Sequence, residues 1–208
     1  MTINNPKHRK KKDDDSELIE AINSGRKNLF LDLVKRYQHR LYNFGLRMCR
    51  DKSDAEDLVQ ETFFNVFKYL KSFRHETKFK NWLYRIAGSV CIKKRRKSKY
   101  APERELSLEE FIPKEGEPVQ TELPAWAAMP IDKLLNAELS DTVQTAIQSL
   151  PEKYRLVIVL RDMEDFSTEE TAQILKISPA NVKVRLYRAR LFLKEKLQEY
   201  FENEQSYP

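Results

Sequence analysis

The densest chemistry in this 208-residue chain lies in two cationic blocks. From Lys78 to Lys99 there are nine basic residues (Lys78, Lys80, Arg85, Lys93, Lys94, Arg95, Arg96, Lys97, Lys99) and no acidic one, with Phe79, Trp82 and Tyr84 interleaved. From Lys176 to Lys196 seven basic residues face Glu195 alone. Between the blocks, Ala101 to Ser140 holds nine acidic residues against three basic ones, so a net of six negative charges separates them. Cations neutralise phosphates and flat aromatic faces stack on bases, so the expected partner is a polyanion, and a nucleic acid in particular.

Other chemistries find no constellation. The four glycines (Gly25, Gly45, Gly88, Gly116) are far apart, and neither a phosphate-binding loop nor a dinucleotide fingerprint can be written. Cys49 and Cys91 form no CxxC pair, and His8, His39 and His75 stand at no zinc-ligand spacing beside them, so no metal or cofactor is expected. No paired-carboxylate or Ser-His arrangement can be assembled from spacing, and the chain is read as no enzyme, without a small-molecule substrate. The longest aliphatic block is Leu156 to Leu160, too short to span a bilayer. Asp13, Asp14 and Asp15 follow the basic run Lys7 to Lys12 where a signal peptide needs an apolar segment. The expectation is a cytoplasmic protein with no direct membrane insertion.

The elements that must hold the two blocks read as helices. Residues 1–15 are expected to be a disordered tail, because they offer little apolar surface to offset ordering entropy. Leu33, Tyr37, Leu41, Phe44 and Met48 step by threes and fours and draw one helical stripe. Ser53 with Glu56 reads as a capping box opening a helix whose stripe is Ala55, Leu58, Val59, Thr62, Val66, Phe67 and Leu70. A third helix runs from about Phe79 to Lys97, with Leu83, Ile86, Ala87 and Val90 inward. Proline, glycine and glutamate then gather without period, which reads as a linker, although Leu123 and Trp126 give it something to dock with. Helical pattern returns from Ile131 to Leu150 and beyond Pro151.

Near the C-terminus Ser167 and Glu170 form a second capping box, and Ser178-Pro179 opens another helix with Ser as cap and Pro at the first position. Two short helices about three residues apart outline a helix-turn-helix. Lys176 stands at the turn, where glycine takes a left-handed conformation more easily. On the second helix Val182, Leu186, Ala189 and Leu193 share an inward sector. Ala180, Val184, Tyr187 and Arg188 lie opposite with Lys183 close by, the face that a recognition helix turns to a major groove. Arg185 and Arg190 flank the inward sector, placed for phosphates or for acidic neighbours such as Glu169 and Glu170. The fold class is all-α: two small helical domains, 16–99 and 135–203, joined by a flexible acidic linker over 100–134, the second containing the helix-turn-helix.

The stretches Asp57-Leu58-Val59-Gln60-Glu61-Thr62-Phe63-Phe64 and Phe79-Lys80-Asn81-Trp82-Leu83-Tyr84-Arg85-Ile86-Ala87 resemble the sigma factors of bacterial RNA polymerase, specifically the two-domain extracytoplasmic-function (ECF) group. Leu150-Pro151-Glu152-Lys153-Tyr154-Arg155 and Val182 to Arg190 are close to the same family's pattern, so the resemblance covers residues 27–98 (region 2) and 135–198 (region 4). It implies a factor that binds core RNA polymerase, through its beta and beta-prime subunits, and directs promoter-specific initiation. Asp57, Gln60, Glu61 and Phe64 would dock on the clamp helices of the largest subunit. Region 2 would recognise and melt the minus-ten element, with Arg74, His75, Lys78, Lys80, Trp82, Tyr84, Arg85, Ser89, Lys93 and Arg96 on the DNA. The loop Ser72 to Lys78 would hold an extruded base. Region 4 would read the minus-35 element through Ser178, Ala180, Asn181, Lys183, Val184, Arg185, Tyr187 and Arg188. An anti-sigma partner is implied as well. Ser89 stands where many members have Asn, Lys93 where an acidic residue is frequent, and Val184 where Ser is common. Val184 points to apolar contact with a thymine methyl. Two rival readings remain at this point: a stand-alone helix-turn-helix regulator that binds duplex DNA without polymerase, and an RNA-binding or processing helical protein.

Overall fold

The structure is a computed structural model that describes residues 14–49, 51–97 and 137–204. The linker expectation, Leu123 and Trp126 included, and the tail expectation up to residue 13 lie outside these residues. All described elements are helical: α1 (Asp14–Asn23), α2 (Phe30–Met48), α3 (Lys52–Tyr69), α4 (Phe79–Lys97), α5 (Ala137–Ser149), α6 (Glu152–Ile158), α7 (Thr168–Leu175) and α8 (Pro179–Glu204), with short 3-10 turns at Lys27–Leu29 and Leu70–Ser72. No described helix is long and apolar enough to cross a membrane.

Asp14 and Asp15, expected in the tail, instead begin α1. The buried Asp15 carboxylate accepts from Arg36 Nη1 at 2.6 Å and from the Tyr37 hydroxyl, and Ile19 and Ile22 enter the core. That anchorage on α2 supplies the apolar and polar contacts which a short segment cannot supply alone. Along α2 the predicted stripe is the buried one, from Leu33 to Met48.

α3 crosses α2 closely at Gly45, where an added Cβ would stand 3.1 Å from the Ala55 Cα. Its N-cap is Asp51, whose carboxylate accepts from the Asp54 amide at 2.7 Å, so the helix starts before the Ser53 box that the sequence indicated. Asp51 is the residue with extended backbone geometry, the conformation an N-cap needs. Phe63 is buried where Phe67 was expected; Phe67 is 50% exposed and meets Phe30 edge-on at 5.0 Å.

The second group of helices packs directly on the first. The aliphatic run Leu156 to Leu160 is wholly buried and helical, passing from α6 into a π-helical turn at Val159–Met163. A helix apolar on all sides must have neighbours on all sides. Here α8 covers one side, and the first domain lies on the other, with Leu156 packed toward Gly88 of α4. Arg155, also buried, donates to the carbonyls of Met48, Gln148 and Leu150, and Gln144 and Gln148 donate to the carbonyls of Leu46 (2.6 Å) and Cys49 (2.9 Å). Those α2 carbonyls sit at a helix C-terminus, where intrahelical partners run out.

Candidate nucleic-acid interface

α7 and α8 build a helix-turn-helix for reasons local to their caps. Ser167 Oγ accepts from the Glu170 amide at 3.0 Å while Glu170 Oε2 accepts from the Ser167 amide at 3.0 Å, a complete capping box. Lys176 ends α7 in the left-handed conformation at φ 55°, which a non-glycine residue adopts at a cost of about 1 kcal/mol or more. Ser178 Oγ then accepts from the Asn181 amide at 3.2 Å and opens α8. Val182, Leu186, Ala189 and Leu193 are buried as the helical wheel required.

The opposite face of α8 is open to a partner. Ser178, Ala180, Asn181, Lys183 and Val184 are exposed, and Arg185, Tyr187 and Arg188 are half-buried. Arg188 Nη1 leans on the Tyr154 hydroxyl at 3.5 Å. Arg190 does not reach Glu169 or Glu170; it holds Asp162 with two parallel bonds of 2.7 and 2.9 Å, joining α8 to the π-helical turn.

The α4 block is arranged differently from the expectation of an open aromatic and cationic face. Tyr84 is a core residue with no exposed surface: its ring lies 5.3 Å from Phe44 and 4.8 Å from Phe166, and its hydroxyl donates to Glu164 at 2.5 Å. Phe79 is buried too. Trp82 is half-buried, tilted against Phe73 at 5.1 Å and Phe79 at 5.8 Å, and keeps one side toward solvent. Lys78 pairs with Glu170 at 2.9 Å, and Lys80 donates to the Glu164 carbonyl at 3.1 Å with the Phe166 ring 4.1 Å beneath it. Arg85 donates to the Gln173 carbonyl at 3.1 Å.

Of the other positions assigned to this face, Arg74 and Ser89 are exposed. His75 is half-buried, left-handed at φ 54° and stacked 4.7 Å from Phe73. Lys93 pairs with Glu61 at 3.7 Å. Arg96 lies in α4, and its side chain is outside the described residues.

Glu164 is the residue that sequence reasoning missed. It is buried where the two domains meet, and it receives the Tyr84 hydroxyl and Arg47 Nη1, the latter at 3.1 Å. Burial raises its carboxyl above the usual carboxylate value, against the pull of Tyr84, Arg47, Lys80 and Arg40. Burial and the same carboxyl push the Tyr84 hydroxyl up as well. Burial opposes the Glu170 charge, but the Ser167 amide, Lys78 and Asn81 outweigh it and hold that carboxyl down. The sole signal in the sequence was the unbroken apolar run Leu156 to Leu160, which requires neighbours on both sides.

On α3, Asp57, Gln60 and Phe64 are exposed and Glu61 is half-buried, so the four sit on the outward side as the wheel indicated. Phe64 is 67% exposed, and Phe67 and Tyr69 extend the apolar surface beyond it. Asp57 is held by Lys94 at 3.0 Å, and Asp54 shares the same ammonium at 3.4 Å. Burial lowers the affinity of Lys94 for its proton, but the two carboxylates outweigh it and raise its pKa.

A capped helix-turn-helix whose second helix turns Lys183 and Val184 to solvent has the build of a helical DNA-binding protein. Residues 33–100 match the family model for Sigma-70 region 2, and residues 140–193 match that for Sigma-70, region 4. The chain is 35% identical over 181 residues to the ECF RNA polymerase sigma factor SigW of Bacillus subtilis, spanning 87% of this chain and 95% of that one. It is 32% identical over 188 residues to the ECF RNA polymerase sigma-E factor of Escherichia coli K12, spanning 88% and 94%. Among solved structures, CnrH in complex with the cytosolic domain of CnrY is similar at TM-score 0.61 and 24% identity, covering 90% of this chain and 99% of that one. The sigma factor RpoE of Bartonella quintana, in complex with the anti-sigma factor NepR, is similar at TM-score 0.59 and 24% identity, covering 81% and 96%. The chain belongs to the ECF sigma factors of the sigma-70 family, and it is a sigma factor that binds core RNA polymerase and promoter DNA.

Proposed function

We propose that the two domains divide promoter recognition between them, 16–99 working at the minus-ten element and 135–203 at the minus-35 element, with 100–134 as the linker. The observation that carries this reading is the open face of α8, where Lys183 and Val184 stand exposed on a helix anchored by four buried apolar residues. Lys183 and Arg185 would meet phosphates, and Val184 a thymine methyl. On the other domain, the solvent-facing side of Trp82, with Arg74, His75 and Lys78 beside it, would hold unstacked bases and their backbone. Tyr84 drops out of that set in this arrangement, because a side chain with no exposed surface stacks on nothing outside the core.

Asp57, Gln60, Glu61 and Phe64 form the docking surface for polymerase, an acidic edge beside an exposed ring of the kind that anchors interfaces. The factor performs no catalytic step of its own and acts in the cytoplasm, where polymerase and promoters are. An anti-sigma protein is its proposed antagonist, by analogy with the complexes of CnrH and of the Bartonella RpoE.

In vitro transcription from fragmented bacterial DNA, with core polymerase alone and with core plus this chain, tests the reading. New start sites sharing two upstream elements are expected only with the chain. Footprints on duplex DNA that form without core would favour the stand-alone regulator.

A further inference from the structure

Two thiols that promoter recognition leaves unused meet where α2 ends. α2 and α4 run side by side in the same direction, and their contacts advance together. Tyr37 meets Phe79 at 5.6 Å, Phe44 meets Tyr84 at 5.3 Å, and the Cys91 thiol then lies within hydrogen-bond reach of the Cys49 sulfur. Both cysteines are free; Cys49 is half-buried and Cys91 is buried behind it. Among the described residues no group of three His, Cys, Asp or Glu side chains could hold a metal ion, and two sulfurs alone fall short of a tetrahedral zinc site. The chemistry left to two touching thiols is oxidation.

The two sulfurs are not equivalent. The hydrogen bond from Cys91 pulls the Cys49 thiol below its ordinary value, with help from Lys94 and against burial and the carboxylates of Asp54 and Asp51. The same contact, together with burial and Glu152, pushes Cys91 up against the pull of Arg155. A thiol inclined to ionise, beside one inclined to keep its proton, is the arrangement of an attacking and a resolving cysteine.

We propose that Cys49 and Cys91 form a reversible oxidation site for a hydroperoxide, whose product is a disulfide between the end of α2 and α4. The Cys49 thiolate attacks one peroxide oxygen. The O–O bond breaks, the other oxygen leaves as an alcohol or water with a proton from solvent, and Cys49 becomes a sulfenic acid. Cys91 gives its proton to solvent and attacks the Cys49 sulfur; the S–O bond breaks and water leaves. Two thiols have then lost two electrons, which the peroxide has gained. The sulfurs must close from hydrogen-bond contact to about 2.05 Å. Cys49 can supply that movement, because it follows the last residue of α2 with extended rather than helical backbone. In a reducing cytoplasm such a bond is transient, as cytosolic disulfides usually are. The loop it closes contains all of α3, which packs on both α2 and α4, so the bond staples the platform beneath the polymerase-docking helix.

The test treats the full chain with hydrogen peroxide and then with N-ethylmaleimide under denaturing conditions, and reads the intact mass. The oxidised wild type is expected to stay monomeric, lose two hydrogens and take up no maleimide, and dithiothreitol should restore both thiols. Full maleimide labelling after peroxide, or a disulfide-linked dimer, overturns the inference. Cys91→Ala should stop at a sulfenic acid on Cys49, trapped by dimedone, and should reach it several-fold more slowly than the wild type loses its thiols. Cys49→Ala should leave Cys91 unmodified at the same dose; oxidation as fast as in the wild type overturns the role of Cys49. A further readout needs no variant. The disulfide form should melt about 5 °C higher than the reduced chain or more, because the closed loop constrains the unfolded state. An oxidised chain that melts no higher overturns the staple, since the bond then forms only where the contact between α2 and α4 has come apart.

Discussion

At the scale of single residues, charge and burial decide which side chains are available. Phe64 is a large apolar ring left in water, and removing it costs the fold little. Phe64→Ala should therefore weaken binding to core polymerase by about 2 kcal/mol, roughly thirtyfold in Kd, while the Tm stays unchanged. Biolayer interferometry beside a melting curve separates the two effects, and a matching fall in Tm would place the ring in the core. Glu164 makes a prediction of opposite kind. Its carboxyl is raised in the folded chain, so its stabilising contribution is complete below the ordinary carboxylate value and is lost as pH rises through the raised one. Relative to Glu164→Gln, the wild type should lose Tm as pH is raised from the acid side to neutrality. A pH-independent difference would mean that burial leaves this carboxyl unshifted.

Whole elements depend on their ends and their crossings. The box at Ser167 satisfies two amide donors at the start of α7, and Ser167→Ala should cost about 1 kcal/mol in chemical denaturation, with the helix-turn-helix affected first. Gly45→Ala raises helix propensity, yet its new methyl meets backbone as well as side chain of Ala55 at 3.1 Å. Overpacking of that kind costs about 1–3 kcal/mol, which exceeds the propensity gain of about 1 kcal/mol, so the variant should melt lower. A higher Tm would show that α3 slides away without loss. Periodicity located the helices, but their starts depended on backbone geometry that a sequence does not display. Ser53 and Asp51 are both good capping residues, and only Asp51 has the extended backbone that lets a carboxylate turn back to the Asp54 amide.

For the molecule as a whole, two cationic faces on separate helices predict a steep salt dependence of promoter binding by the holoenzyme. Each phosphate contact adds about 0.9 to the log–log slope, and Lys183→Ala should reduce that slope by about 1 without selecting among sequences. A slope unchanged by the variant would remove Lys183 from the backbone contacts. The all-α class, the capping box at Ser167, the turn at Lys176 and the outward set Asp57, Gln60 and Phe64 were legible in the sequence, because each depends on residues within a few positions along one helix. The fates of Tyr84 and Lys80 were not. A helical wheel fixes which side a residue faces but not what stands opposite, and here α7 and the turn at Glu164 stand there, more than eighty positions along the chain from Lys80. Local spacing determined which residues share a face. Long-range packing, which covers or bares that face according to the apolar surface buried between domains, decided which faces are free to bind.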